Sequence, residues 1–297
     1  MRLKFLIDDD ESKSDVKHKF ILRPNKLSGK YGCMVSFEKG AVKNEIRYKL
    51  DIDFYKGKNG INIFKIDRAK ELFINDFPPE NFLDQLAFET SKVLYPLELE
   101  VLNDGNIKRI QNFKEIKERW DKAEEKIRAY YKGELTDKYL KLTTKTLKSE
   151  AKLISKLSKD WLFYMYFKLF TKYGYKEKLM QFPTAGKALP INYAVTHKIE
   201  ERLDVDDVLI RIKGKIKDER CALDLEQELD FPYYRNIDKN EKDLKGICDV
   251  IYSLNNKTRI IEGIDATFYT EYLEPKKVII KMFLIDNKTT KKSNFLD

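Results

Sequence analysis

The sequence predicts an α+β protein. One or two curved antiparallel sheets, or a half-barrel, would be built from strand meanders at both chain ends and packed on a central helical layer. Three observations predict it. Residues 17–66 and 190–285 alternate apolar and polar side chains, the period of a half-buried strand. The region between them carries apolar residues at helical spacing, longest over 112–175. The links between the strand segments are too short for parallel crossovers, so neighbours pair antiparallel.

Residues 1–16 read as a flexible polar lead-in. Strands are expected at 17–23, 32–38, 45–55 and 60–66. Pro24-Asn25, Lys39-Gly40 and Gly57–Gly60 supply turn chemistry between them. The third strand is the clearest. Ile46, Tyr48, Leu50, Ile52 and Phe54 point one way, and Arg47, Lys49, Asp51 and Asp53 the other. Residues 67–75 read as a short helix or turn. Pro78-Pro79 breaks the chain, and 80–93 shows helical spacing through Phe82, Leu83, Leu86 and Ala87. A hairpin follows, with strands 95–101 and 107–110 around Asn103-Asp104-Gly105-Asn106.

Asn112 with Glu115 three residues on reads as a helix start of capping-box type. That helix places Ile116, Trp120, Ala123 and Ile127 on one stripe, and Lys132-Gly133 ends it. Thr136 is expected to cap a second helix that turns Leu140, Leu147, Ala151, Ile154 and Leu157 inward. Asp160 is expected to cap a third over 161–173. Trp161, Phe163, Tyr164, Tyr166, Phe167, Phe170, Tyr173 and Tyr175 surround this last helix on nearly every side, so it should be buried.

The final block opens at Pro183–Gly186. Strands are expected at 189–200, 207–216, 220–229, 247–254, 259–271 and 277–285, with 230–244 a longer polar loop. Several are apolar on both faces, such as Val278, Ile280, Met282 and Leu284 against Ile279, Phe283 and Ile285. Such strands must be covered twice or curl around something, and the aromatic helix is the natural centre. The organisation is then a lead-in (1–16), an N-terminal meander with short helices (17–111), a helical layer (112–180), a C-terminal sheet (187–287) and a tail (288–297). The ordered parts are expected to form one continuous fold.

Composition bounds the function. In 297 residues, 42% are hydrophobic and 12% aromatic, enough for a sizeable core. No apolar run reaches the roughly 18 residues of a spanning helix, so an integral helical membrane protein is excluded. Met1–Ile7 is basic but only briefly apolar before Asp8–Glu11, a poor leader, so the expected location is the cytoplasm. Cys33, Cys221 and Cys248 are odd in number and widely spaced, as core thiols are. The net charge of +9 invites nucleic acid. The lysines are interspersed with acids, as in Lys114–Arg119, and lysine far outnumbers arginine, which argues against it.

Signals for catalysis are sparse. Two histidines, without a Cys or acid motif beside them, speak against a zinc enzyme or a Ser/His hydrolase. No phosphate-cradling glycine loop is present. Asp51 and Asp53 on one strand face could hold a divalent cation, the basis of a metal-dependent enzyme reading. Beside it stands solvated outer-face chemistry with Arg47 and Lys49. No cofactor is implied. The strongest lead is the aromatic helix, where incomplete closure by the sheets would leave an apolar groove. Trp161, Tyr164 and Phe167 on the helix and Tyr193 and His197 on a facing strand are the candidate ligand-binding residues.

The meander of 17–66, the helical plug, and the long hairpins of 246–285, with Gly246–Tyr252 leading into the turn at Asn255-Asn256, resemble bacterial half-barrel carriers of the lipoprotein-carrier type. The resemblance implies a curved sheet wrapped around helices and an apolar cargo. The expectation is a non-enzymatic binding protein that holds an apolar molecule or a protein segment beside the aromatic helix. The alternative is an adaptor, immunity or secretion-system protein acting through a protein partner.

Overall fold

The computed structural model describes residues 18–19, 26–169, 172–173, 178–184, 189–202, 206–271 and 274–287. The expected lead-in and tail lie outside these residues. So do most of the first expected strand, the Pro24-Asn25 turn, Phe170 and Tyr175.

In chain order the elements are β1 (His18–Lys19), β2 (Lys26–Lys39), β3 (Val42–Lys56), β4 (Asn62–Ile74), α1 (Phe82–Ser91), β5 (Leu97–Val101) and β6 (Ile107–Ile110). The helices α2 (Phe113–Tyr130), α3 (Glu134–Leu147), α4 (Glu150–Leu157) and α5 (Trp161–Lys168) follow. Then come β7 (Lys172–Tyr173), β8 (Lys178–Phe182), β9 (Ile191–Arg202), β10 (Asp207–Ile216), α6 (Ala222–Glu226), α7 (Tyr233–Ile237), β11 (Lys245–Asn255), β12 (Ile261–Glu271) and β13 (Lys276–Asn287).

Eleven strands form one open, curved antiparallel sheet in the order β6-β5-β4-β3-β2-β13-β12-β11-β10-β9-β8. Every neighbouring pair is consecutive in sequence except β2 and β13, so a single seam joins the two halves of the chain. There Phe37 opposes Val278, Val35 opposes Ile280 and Cys33 opposes Met282. The fold is therefore α+β, with both meanders in one eleven-stranded sheet. A separate two-strand pairing sets His18 opposite Tyr173.

The local reasons are simple. In β3 Leu50, Ile52 and Phe54 are buried while Arg47, Lys49 and Asp51 are exposed, the pattern of a sheet covered on one face. Gly40 supplies the left-handed residue (φ 56°) of the two-residue β2–β3 turn. Gly105, at φ 85°, does so between β5 and β6, and a Cβ there would also overlap the carbonyl oxygen of Phe167.

Six of the eight residues of α5 are buried: Trp161, Leu162, Phe163, Met165, Tyr166 and Phe167. The helix lies across the seam. Tyr166 sits edge-on to Tyr31 of β2 (6.2 Å) and Phe64 of β4 (6.0 Å), and Trp161 packs on Phe268 of β12 (4.9 Å). The Tyr252 hydroxyl of β11 donates to the Met165 carbonyl at 2.8 Å, and that of Tyr31 to Ile261 O at 2.9 Å. Beside it α2 buries Ile116 and Trp120 and α3 buries Leu140 and Leu147, and the Trp120 indole joins the two helices by donating to Thr144 Oγ1 at 3.1 Å.

Several expectations are corrected. Residues 67–74 continue β4 instead of forming a helix, because β3 offers a partner as far as Ile46, opposite Ile74, and the expected turn begins only at Asn75. Residues 222–226 of the expected strand 220–229 form α6. Its buried Cys221, Asp224 and Leu225 have helical spacing, and Cys221 with Asp224 forms a reciprocal cap. Loop 230–244 holds α7. Asn112 does not cap α2. Its side chain accepts from Glu98 N (3.0 Å) and donates to Pro96 O (2.7 Å), tying the helix start to β5. Thr136 lies inside α3, which begins after Gly133, and Ala151 is exposed. The aromatic helix stops at Lys168, short of Tyr173, and the helical layer short of 180, since Lys178–Phe182 is a strand. The second apolar face of the C-terminal strands stays partly open, with Ile247, Phe283 and Ile285 exposed. The Phe283 ring lies over Gly32, where a side chain on β2 would stand.

Candidate apolar ligand site

The helix-covered face is not fully packed in the N-terminal half. A cleft of about 560 Å³ opens where α1 stands off from β2, β3 and β4, within the range of ligand pockets, roughly 300–1,000 Å³. Val35 and Phe37 of β2, Ile46 and Tyr48 of β3, and Leu72 and Ile74 of β4 form its floor. Ala87, Phe88 and Ser91 of α1, with Leu94 and Tyr95, form its roof, and Trp161 and Phe163 close one end. The alternation of the strands dictates the floor: Tyr48 opposes Leu72 and Ile46 opposes Ile74 on the covered face.

Four charged side chains border this apolar space: Arg68, Asp84, Lys159 and Asp160. Asp160 caps α5, accepting from Phe163 N at 3.0 Å. Burial pushes its carboxyl above the usual carboxylate range, against the pull of the Phe163 and Leu162 amides. Burial likewise raises Tyr48 and Tyr95. Each phenol is further raised by the negative Asp160 and lowered by the positive Arg68, so the two tyrosines lie within the field of both.

Arg68 occupies an irregularity in the sheet. Tyr48 opposes Leu72 and Leu50 opposes Arg68, so Lys49 alone faces Ala69, Lys70 and Glu71. Inserting two extra residues preserves the alternation, and Arg68 and Leu72 both face the helices. Its guanidinium donates to Ser91 Oγ at 3.0 Å, and its carbon lies 5.0 Å from the Tyr95 ring centre and 5.5 Å from that of Phe88.

Of the five residues singled out from sequence, Trp161 lines the cleft. Tyr164 and Phe167 border a second, smaller cavity of about 160 Å³ beside Gly105 and Leu157. The Tyr164 hydroxyl donates to Gln181 O. Tyr193 packs between Phe182 (5.5 Å) and Phe268 (6.2 Å). His197, on the inner face of β9 opposite Ile212, is buried. The five therefore do not converge on one site. Arg68 was missed because 67–75 did not read as strand; Tyr48 and Tyr95 were read within or at the start of strands, and nothing local names the cleft they share.

Burial, helped by the positive Lys178, depresses His197 to about 4. A histidine whose pKa falls on folding is held neutral. Its contribution is intact above the unfolded value of about 6.5 and is lost as pH falls from there to about 4. His197→Gln is expected to flatten stability against pH in that window. At pH 4.5 it should recover on the order of 2 kcal/mol relative to wild type, measured by urea denaturation at pH 7.5 and 4.5. Parallel curves for the two proteins would show that His197 titrates normally.

Asp51 and Asp53, the candidate metal pair, share one face of β3 as expected. They lie on the uncovered face, with Asp51 3.8 Å from Lys30. Among the described residues no group of three His, Cys, Asp or Glu side chains stands close enough to hold a metal ion. Among them too, no helix is long and apolar enough to cross a membrane.

No family model and no curated protein sequence matches this chain. A solved structure described as "Lipid-protein interactions in lipovitellin" is similar over 90% of this chain and 26% of its own, at 10% identity and a TM-score of 0.47.

Proposed function

We propose that the protein is a non-enzymatic carrier or receptor for an apolar small molecule, held in the cleft between α1 and the N-terminal half of the sheet. The carrying observation is the cleft itself, an unfilled space floored by Val35, Phe37, Ile46 and Leu72 and roofed by Ala87 and Phe88. Protein interiors close-pack, whereas this cleft leaves apolar side chains among the described residues that a ligand would cover. The half-barrel layout read in the sequence supports the same reading. Burial shifts Tyr48, Tyr95 and Asp160 toward their neutral forms, which lowers the cost of covering them with an apolar ligand.

Uptake of 1-aminoanthracene, a neutral dye that brightens in apolar surroundings, tests this. Wild type is expected to bind it saturably. Ala87→Trp places an indole in the roof and should weaken binding roughly tenfold or more, about 1.4 kcal/mol, with an unchanged unfolding midpoint. Unaltered binding by that variant, or none by wild type, would remove the proposal.

A further inference from the structure

Resting on that reading, we infer that the ligand is an amphiphile whose oxyanion head, carboxylate or phosphate, is received by Arg68. Arg47, Arg202 and Arg220 each pair with a carboxylate. Arg68 pairs with none among the described residues, although it faces the helix-covered side of the sheet and borders the cleft. Among the described residues its side chain donates one hydrogen bond, to Ser91 Oγ. A guanidinium carries five N–H donors in a planar fork, so most of this fork is unspent.

The fork is also held in place. Ser91 directs its own hydroxyl hydrogen to Phe88 O at 2.7 Å, leaving a lone pair for Arg68. The Tyr95 and Phe88 rings flank the guanidinium carbon at 5.0 and 5.5 Å. A cation oriented before binding loses little freedom when an anion docks, and a planar fork matches a two-oxygen head. Of the two acids on the cleft wall, Asp84 accepts from the Asn81 side-chain amide and Asp160 turns toward the Phe163 amide, and Arg68 is not among the causes of the Asp160 shift. The head is therefore placed at the Arg68 end, and the chain runs over Leu72, Ile46 and Val35 toward Trp161.

Competition against 1-aminoanthracene with dodecanol, dodecanoate and dodecyl phosphate separates the chain from the head. At least one anionic probe should compete roughly ten- to a hundredfold more strongly than dodecanol, and the better anion identifies the source. Arg68→Met should abolish that preference, read within the variant as the ratio of anion to dodecanol competition. Arg68→Lys should retain it at reduced strength. Equal competition by all three probes on wild type, a comparison that needs no variant to fold, would overturn the inference and leave the cleft reading standing. So would an anion preference that survives in Arg68→Met. If no probe competes, the cleft reading fails and this one falls with it.

Discussion

Replacing Ile280 with aspartate is expected to remove more than about 4 kcal/mol of stability. Ile280 is fully buried, opposite Val35 on one side and Ala266 on the other. It sits on the pairing that turns two meanders into one sheet. A carboxylate there meets apolar neighbours and no cation, and an unpaired buried charge is among the most costly single changes. The loss should be cooperative. Trp120 lies between α2 and α3, whereas Trp161 packs on the C-terminal Phe268. Urea unfolding followed by tryptophan fluorescence and by far-ultraviolet circular dichroism should give one coincident transition, moved to much lower urea. Ile285→Asp, exposed on the other face of the same strand, should stay within about 0.5 kcal/mol of wild type. A separate C-terminal transition, or a cost at Ile280 no larger than at Ile285, would contradict the single-sheet description.

Phe64→Ala is expected to cost about 3–5 kcal/mol. Phe64 is 1% exposed and packs against the rings of Phe54 at 5.0 Å, Phe167 at 5.1 Å and Tyr166 at 6.0 Å, among others. It joins β4 to α5, so truncation leaves a void that the close-packed rings cannot collapse into without moving the helix. The loss should exceed the transfer free energy of the ring by this cavity contribution. The comparison is Tyr130→Ala, an aromatic truncation at a site 79% exposed, which should change stability little. Denaturant midpoints of the two variants against wild type decide the matter; similar values would mean that α5 is not keyed to the sheet through Phe64.

What the sequence revealed follows from range. Period-two alternation and turn residues act locally, so the hairpins from β2 to β4 and from β11 to β13 were legible, as was the burial of α5. The β2–β13 seam was not, since nothing in residues 26–39 names residues 276–287 as their partner. Asp67-Arg-Ala-Lys-Glu71 is too charged to read as strand, and becomes one only because β3 lies beside it. The error carried into the site: with β4 cut short, Arg68 had no face, and the cleft was sought around the whole aromatic helix. Trp161 was found because an aromatic residue at the start of a buried helix must meet the sheet. Tyr193 and His197 share a strand face that the interior fills.

One edge of the open sheet carries its own guard. On the outer side of β6 the Ile110 amide donates to Glu150 Oε1 at 2.7 Å, from the first residue of α4. An incoming β-strand would need that same donor, and would meet a carboxylate in its place. An unclosed sheet is a template for fibrous self-association, and on this border a helix-borne acid occupies the docking rung.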